Sequence, residues 1–80
     1  MLVKMYTKEN CSFCHAAKRL LAKRGISYQE ILLRGEANKE REMRELTGDN
    51  SVPQILIDGK AIGGYMELVE LDMEGELEQP

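Results

Sequence analysis

Two cysteines separated by two residues, Cys11 and Cys14, constrain this chain more than any other feature, and it has no other cysteine. They follow a short apolar run, residues 2 to 6, that is typical of a strand buried on both faces, and an amphipathic helical pattern follows them. The free N–H groups and the positive dipole at a helix start lower the pKa of a thiol, and Lys8 adds a nearby positive charge. One helical turn would separate the two Cα atoms by about 5–6 Å, which suits a disulfide. The segment therefore predicts a thiolate nucleophile and a disulfide that opens and closes.

Length and charge limit the range of functions. Eighty residues predict a single domain spanning 1–80. The net charge of −3 does not favour nucleic acid, and no run of residues has the roughly 20 apolar positions of a membrane span. Residues 1–24 contain six basic side chains and one acidic one, which predicts either a positive rim that attracts anionic substrates or simply a solvated face. Two cysteines in a chain without a leader peptide favour the cytoplasm and a catalytic or metal-binding role.

Periodicity predicts the element order β-α-β-α-β-β-α. We expect helices over 12–24, 36–47 and 65–73, and strands over 2–6, within 26–33, over 54–57 and over 60–62. Asp58-Gly59 predicts a two-residue hairpin turn. We expect Ala37, Leu46 and Met73 to face inward and the acidic tail from residue 75 to 80 to fray. The predicted fold class is α/β, with a four-stranded mixed sheet flanked by three helices on both faces.

Three further motifs, together with Cys11-x-x-Cys14, give the chain a family resemblance. Tyr6-Thr7-Lys8 precedes the cysteines, Ser51-Val52-Pro53-Gln54 precedes the third strand, and Ile62-Gly63-Gly64 precedes the last helix. In order and spacing these motifs resemble glutaredoxins, over nearly the whole chain, and the layout resembles the thioredoxin fold. The resemblance implies a glutathione-dependent thiol–disulfide oxidoreductase that reduces protein disulfides and glutathione mixed disulfides.

The resemblance also implies residue roles. Cys11 would be the nucleophile and Cys14 the resolving cysteine, with glutathione as reductant and disulfide-containing or glutathionylated proteins as partners. The Val52–Pro53 bond would be cis and would expose the backbone of Val52 to glutathione as a short strand. The glutathione-binding residues would be Lys8, Phe13, Val52, Pro53, Gly64, Tyr65, Met66 and Glu67. From the residues alone, the less favoured alternatives are that Lys8 is a plain surface lysine, Phe13 a core residue and the glycine pair a simple turn.

The sequence departs from the family pattern at two places. Ser12-Phe13 stands between the cysteines where the family most often has Pro-Tyr, so the tyrosine hydroxyl is absent. Tyr65-Met66-Glu67 follows Gly64 where the family usually has small polar or acidic residues and then Asp. The second departure predicts weaker binding of the γ-glutamyl end of glutathione, and therefore a looser specificity for glutathione.

Other kinds of chemistry compete with disulfide exchange. Cys11-x-x-Cys14-His15 also spells the attachment pattern of c-type haem, but attachment follows export and the hairpin does not suit an all-helical cytochrome. Two cysteines and one histidine fall short of the four ligands of a zinc site. The alternative that the resemblance leaves open is a [2Fe–2S] cluster bound through Cys11 of two chains and two glutathiones, since Ser12 replaces the stiffer proline. We expect a monomer, and a dimer only if such a cluster is bound.

Overall fold

The computed structural model describes residues 1–77 and confirms the predicted element order. Residues 78–80, the end of the tail that was predicted to fray, lie outside the described part. The strands and helices in chain order are β1 (Val3–Thr7), α1 (Ser12–Lys23), β2 (Gln29–Leu32), α2 (Ala37–Thr47), β3 (Gln54–Ile57), β4 (Lys60–Gly63) and α3 (Tyr65–Met73).

The four strands form one mixed sheet in the order β2-β1-β3-β4. β1 and β2 run parallel and are joined through α1, whereas β3 is antiparallel to both β1 and β4. The β3–β4 turn places Asp58 at φ 51° and Gly59 at φ 83°, the left-handed pair that a tight hairpin of matching twist requires. Since β1 ends at the loop that leads to Cys11, the sheet delivers the cysteine pair to its edge at the carboxyl end of β1.

Each face of the sheet has its own apolar cluster. Alternate residues of β1 point to opposite faces, so Met5 packs under α1 and α3, and Tyr6 packs under α2. The first cluster contains Val3, Met5, Ala17, Leu21, Ile26, Ile55, Leu68 and Leu77, and the second contains Tyr6, Leu33, Met43 and Leu56. The core therefore buries both faces of β1 and fixes the strand from which the cysteine loop departs.

Several predicted burial positions are wrong at the ends of elements. Leu2 is 79% exposed and Met73 is 81% exposed, because each lies where the apolar face of its element runs out. Ala37 and Leu46 are also exposed, so Met43 alone anchors α2 in the core. Leu77, expected in a frayed tail, is 2% exposed, and the Glu76 N–H that precedes it bonds the carbonyl of Leu71. The chain thus turns back after α3, and Leu77 packs into the first apolar cluster.

Within residues 1–77, no helix is both long enough and apolar enough to cross a membrane.

Candidate active site

Cys11 and Cys14 form a disulfide at the first turn of α1, with their Cα atoms 5.2 Å apart, as the predicted helical turn requires. Cys11 is the N-cap residue of α1 and has extended backbone angles. Its Sγ accepts a hydrogen bond from the backbone N–H of Cys14 at 3.1 Å, and the His15 N–H bonds its carbonyl oxygen. An N–H of the helix start therefore points at the Cys11 sulfur, where it would stabilise negative charge in the reduced form.

The two sulfurs differ in access. Cys14 is 1% exposed and packs in the protein, whereas Cys11 is half-buried and reaches the surface. An incoming disulfide can meet only Cys11 without moving the backbone. Cys11 is therefore open to a disulfide from outside, whereas Cys14 can react only with Cys11.

The Val52–Pro53 peptide bond is cis, as the resemblance implied, and it faces the cysteine pair. The carbonyl oxygen of Val52 lies 3.8 Å from Cys11 Sγ. Pro53 is buried, whereas Val52 is partly exposed, so backbone groups of Val52 are presented beside the Cys11 sulfur.

The start of α3 closes the other side of the site. A Cβ placed on Gly64 would lie 3.2 Å from the Pro53 carbonyl oxygen, and a Cβ on Gly63, whose φ is 112°, would lie 2.7 Å from the Glu67 carboxylate. The Glu67 Oε1 accepts the Gly64 N–H at 2.7 Å and so caps its own helix. The absence of side chains at Gly63 and Gly64 thus allows the Glu67 carboxylate and the Pro53 carbonyl oxygen to lie close to the backbone. Glu67, which was expected to face glutathione, bonds the backbone through one of its two carboxylate oxygens.

Aromatic contact joins the two helix starts. The rings of Phe13 and Tyr65 stack with centroids 5.8 Å apart and an interplanar angle of 27°. Phe13 is 60% exposed, so it is not a core residue, and Met66 beside Tyr65 is 61% exposed. An apolar surface therefore lies next to Cys11, and it ends in a methionine where the family pattern has polar groups.

The basic residues of the N-terminal segment are only in part a positive rim. Lys4, Lys18 and Arg24 form ion pairs with Glu42, Glu30 and Asp72 respectively. Lys8 is exposed in the loop before Cys11, and no carboxylate of residues 1–77 lies within 4 Å of its Nζ. Among the described residues, the Lys8 ammonium is therefore not engaged by an acidic side chain, unlike those of Lys4 and Lys18.

Sequence patterns missed a polar cluster behind the cysteines. Thr7 at the end of β1 donates from Oγ1 to Glu30 Oε2 at 2.7 Å, and Lys18 of α1 pairs with the same carboxylate oxygen at 2.5 Å. These partners lower the pKa of the Glu30 carboxyl, the Lys18 hydrogen bond most strongly. The sequence offered one signal, the acidic residue Glu30 within a predicted strand. Its partners could not be read from the sequence, because they depend on the register between β1 and β2.

One cavity of the molecule lies away from the cysteine pair. This cavity of about 640 Å³ lies at the opposite end of the sheet, where residues 1–4, 27–29 and Leu46 line it. Among the described residues, no group of three or more His, Cys, Asp or Glu side chains is arranged to hold a metal ion. A cluster shared between two chains would need only Cys11 from each and stays a prediction.

Comparison with known proteins supports the same family throughout. A family model described as glutaredoxin matches residues 3–62. Glutaredoxin 3 of Escherichia coli strain K12 is 47% identical over 76 residues, which cover 95% of this chain and 92% of that protein. A glutaredoxin of Neisseria meningitidis serogroup A is 40% identical over 77 residues, covering 95% of this chain and 91% of that one.

Solved structures agree with the sequence comparisons. A buckwheat glutaredoxin–glutathione complex superposes with a TM-score of 0.83 at 31% identity, covering 94% of this chain and 71% of that one. A glutaredoxin from Brucella melitensis superposes with a TM-score of 0.79 at 39% identity, covering 94% and 82% of the two chains.

Proposed function

This chain belongs to the glutaredoxin family and is a thiol–disulfide oxidoreductase, and from that premise we propose that glutathione is its reductant and that Cys11 and Cys14 divide the chemistry. The observation that carries the proposal is the unequal access of two sulfurs already joined in a disulfide, with Cys14 1% exposed. The proposed substrates are protein disulfides and glutathione mixed disulfides.

The proposed reaction begins at Cys11. Its thiolate attacks a substrate disulfide, one substrate sulfur leaves as a thiolate, and a mixed disulfide forms. The Cys14 thiolate then attacks Cys11 Sγ, releases the second substrate sulfur and closes the Cys11–Cys14 disulfide. Two glutathiones reopen it and become glutathione disulfide, so two electrons pass from glutathione to the substrate. When the substrate is a glutathione mixed disulfide, a second glutathione can attack directly, and Cys14 is not needed.

We assign glutathione to the surface between the two helix starts and the cis-proline loop. The backbone of Val52 would pair with the tripeptide beside Cys11 Sγ, from which its carbonyl oxygen is 3.8 Å distant. Lys8 would meet a carboxylate, and the Phe13–Tyr65 stack would pack against the glutathionylated sulfur. Backbone N–H groups near Met66 would serve the γ-glutamyl carboxylate at the start of α3.

Two cysteine variants test the assignment. Cys11→Ser should abolish both protein-disulfide reduction and deglutathionylation, because the accessible sulfur is gone. Cys14→Ser should lose protein-disulfide reduction yet keep deglutathionylation in a glutathione-coupled assay. Protein-disulfide turnover retained by Cys14→Ser would contradict the division of roles, and activity with thioredoxin reductase but not with glutathione would contradict the reductant.

The proposed setting is the cytoplasm, where the chain would act as a monomer in contact with the glutathione pool. The alternative of [2Fe–2S] binding rests on Ser12, which is exposed at the first residue of α1 and keeps a backbone N–H that proline lacks. Protein made with iron, sulfide and glutathione should then be brown and dimeric, and Ser12→Pro should lose the colour but keep reductase activity. Colourless monomer under those conditions would contradict cluster binding.

A further inference from the structure

Glu30 on β2 holds a polar cluster behind the cysteine pair. Its Oε2 meets two donors, Thr7 Oγ1 at 2.7 Å and Lys18 Nζ at 2.5 Å. Thr7 is fully buried, and the side chains of Lys18 and Glu30 are 26% and 31% exposed. The contacts are therefore shielded in part from water, unlike an ion pair on an open surface.

The positions of the two donors in the chain are symmetric about the cysteines. Thr7 is the last residue of β1 and lies four residues before Cys11, whereas Lys18 lies four residues, or about one helical turn, after Cys14. A single carboxylate oxygen thus ties both ends of the segment that carries the two sulfurs to one point on β2. The Thr7 carbonyl oxygen also accepts the Leu33 N–H at 2.8 Å, which fixes that end against the chain beyond β2.

We propose that Glu30 is a positioning residue for the intramolecular step, in which Cys14 attacks Cys11. By bracketing the segment from Thr7 to Lys18, it holds Cys14 Sγ within reach of Cys11 Sγ and raises the effective concentration of one thiol towards the other. In that step the Cys14–Cys11 bond forms, the Cys11–substrate bond breaks, and the substrate sulfur leaves with the electron pair as a thiolate that takes a proton from solvent. The direct attack of a second glutathione on Cys11 needs no such bracket.

This inference rests on the two-cysteine chemistry of the proposed function, so its test measures disulfide closure without glutathione. The equilibrium constant for closing the Cys11–Cys14 disulfide is measured against the reduced and oxidised dithiothreitol couple. Glu30→Ala should lower that constant by roughly tenfold, because the two ends of the segment are released. Glu30→Gln should stay within about threefold of the wild type, since both donors meet one oxygen and the amide oxygen can take that place.

Two controls separate positioning from a general loss of structure. Asp72→Ala removes the ion pair with Arg24 at the far end of α1, where the contact is 2.6 Å, and should leave the constant unchanged. In a Cys14→Ser background, adding Glu30→Ala should change the rate of deglutathionylation by less than about twofold, because that reaction does not use closure.

Three results would overturn the inference: an equal closure constant in Glu30→Ala and wild type, an equal loss in Glu30→Gln and Glu30→Ala, or an equal loss in Asp72→Ala. The second result would show that the charge, not the bracket, matters. If Glu30→Ala does not fold, Thr7→Val and Lys18→Met serve instead, because each removes one of the two contacts with Glu30. Each variant should lower the closure constant, and an unchanged constant in either folded variant would overturn the inference. Absence of glutathione-coupled activity, with the closure constants as expected, would instead count against the proposed function alone.

Discussion

Met66 offers a direct test of the proposal that the start of α3 binds the γ-glutamyl group of glutathione. It is the second residue of α3 and is 61% exposed, at the position where the N-terminal N–H groups would receive the γ-glutamyl carboxylate. The γ-glutamyl group also carries an ammonium, and Glu67, the acid of this motif, already accepts the Gly64 N–H with its Oε1 at 2.7 Å. Met66→Asp would supply a short, exposed carboxylate for that ammonium.

The size of the effect follows from the exposure. An ion pair at the surface is worth about 0–1 kcal/mol, so the gain in kcat/KM should be at most about fivefold. The same carboxylate would interact favourably with the helix dipole by about 0.3–1 kcal/mol, so Met66→Asp should also stabilise the fold slightly. The stability gain needs no substrate, whereas the kinetic gain needs a substrate with an ammonium.

The assay is steady-state reduction of two mixed disulfides, one with glutathione and one with a thiol that lacks the γ-glutamyl ammonium. Met66→Asn, which has the shape of Asp without its charge, is the matched control. Met66→Asp should gain several-fold for the glutathione substrate at low salt and lose most of that gain near 1 M salt, where the screening length falls to about 3 Å. No gain, an equal gain at both salt concentrations, or an equal gain in Met66→Asn would refute a γ-glutamyl group facing Met66.

Three further predictions concern stability and titration. Tyr6→Phe removes a hydrogen bond to Glu42 that lowers the pKa of that carboxyl, so it should cost about 1 kcal/mol in chemical denaturation. A lowered folded-state pKa gives stability that is complete above about pH 4.5 and is lost as the pH falls, so this cost should shrink in acid, and a constant cost would contradict it. Leu77→Ala should lower the free energy of unfolding by about 2 kcal/mol or more, whereas the exposed Met73→Ala should not; equal effects would refute the burial of Leu77. Reduced Cys11 should titrate below the ~8.5 of a free thiol by thiolate absorbance, and a midpoint at or above 8 would refute stabilisation by the helix start.

The sequence predicted most of the elements because their signals are local. The bounds of β3 and α3 agree with the prediction, since Asp58-Gly59 and Gly63-Gly64 mark their neighbouring turns independently of the rest of the chain. The errors fall where a local pattern cannot report what packs against it. Leu2 and Met73 continue an apolar pattern past the edge of the sheet or the facing helix, and Leu77 follows a glycine and two acids yet fills the first cluster.

Sequence alone indicated the cysteine pair, because two cysteines at helical spacing after a buried strand favour a disulfide and a thiolate at a helix start. Only the tertiary structure decided which sulfur is accessible and what surrounds it. Cys14 is buried because α1 packs on the sheet, and Val52 faces Cys11 because β1 and β3 are neighbours with opposite directions. Glu30 meets Thr7 and Lys18 because the parallel register of β1 and β2 places Thr7 and Glu30 on the same face of the sheet, beneath α1, which carries Lys18. These relations join residues distant in the chain, and their geometry depends on strand register and helix packing, which no local pattern encodes.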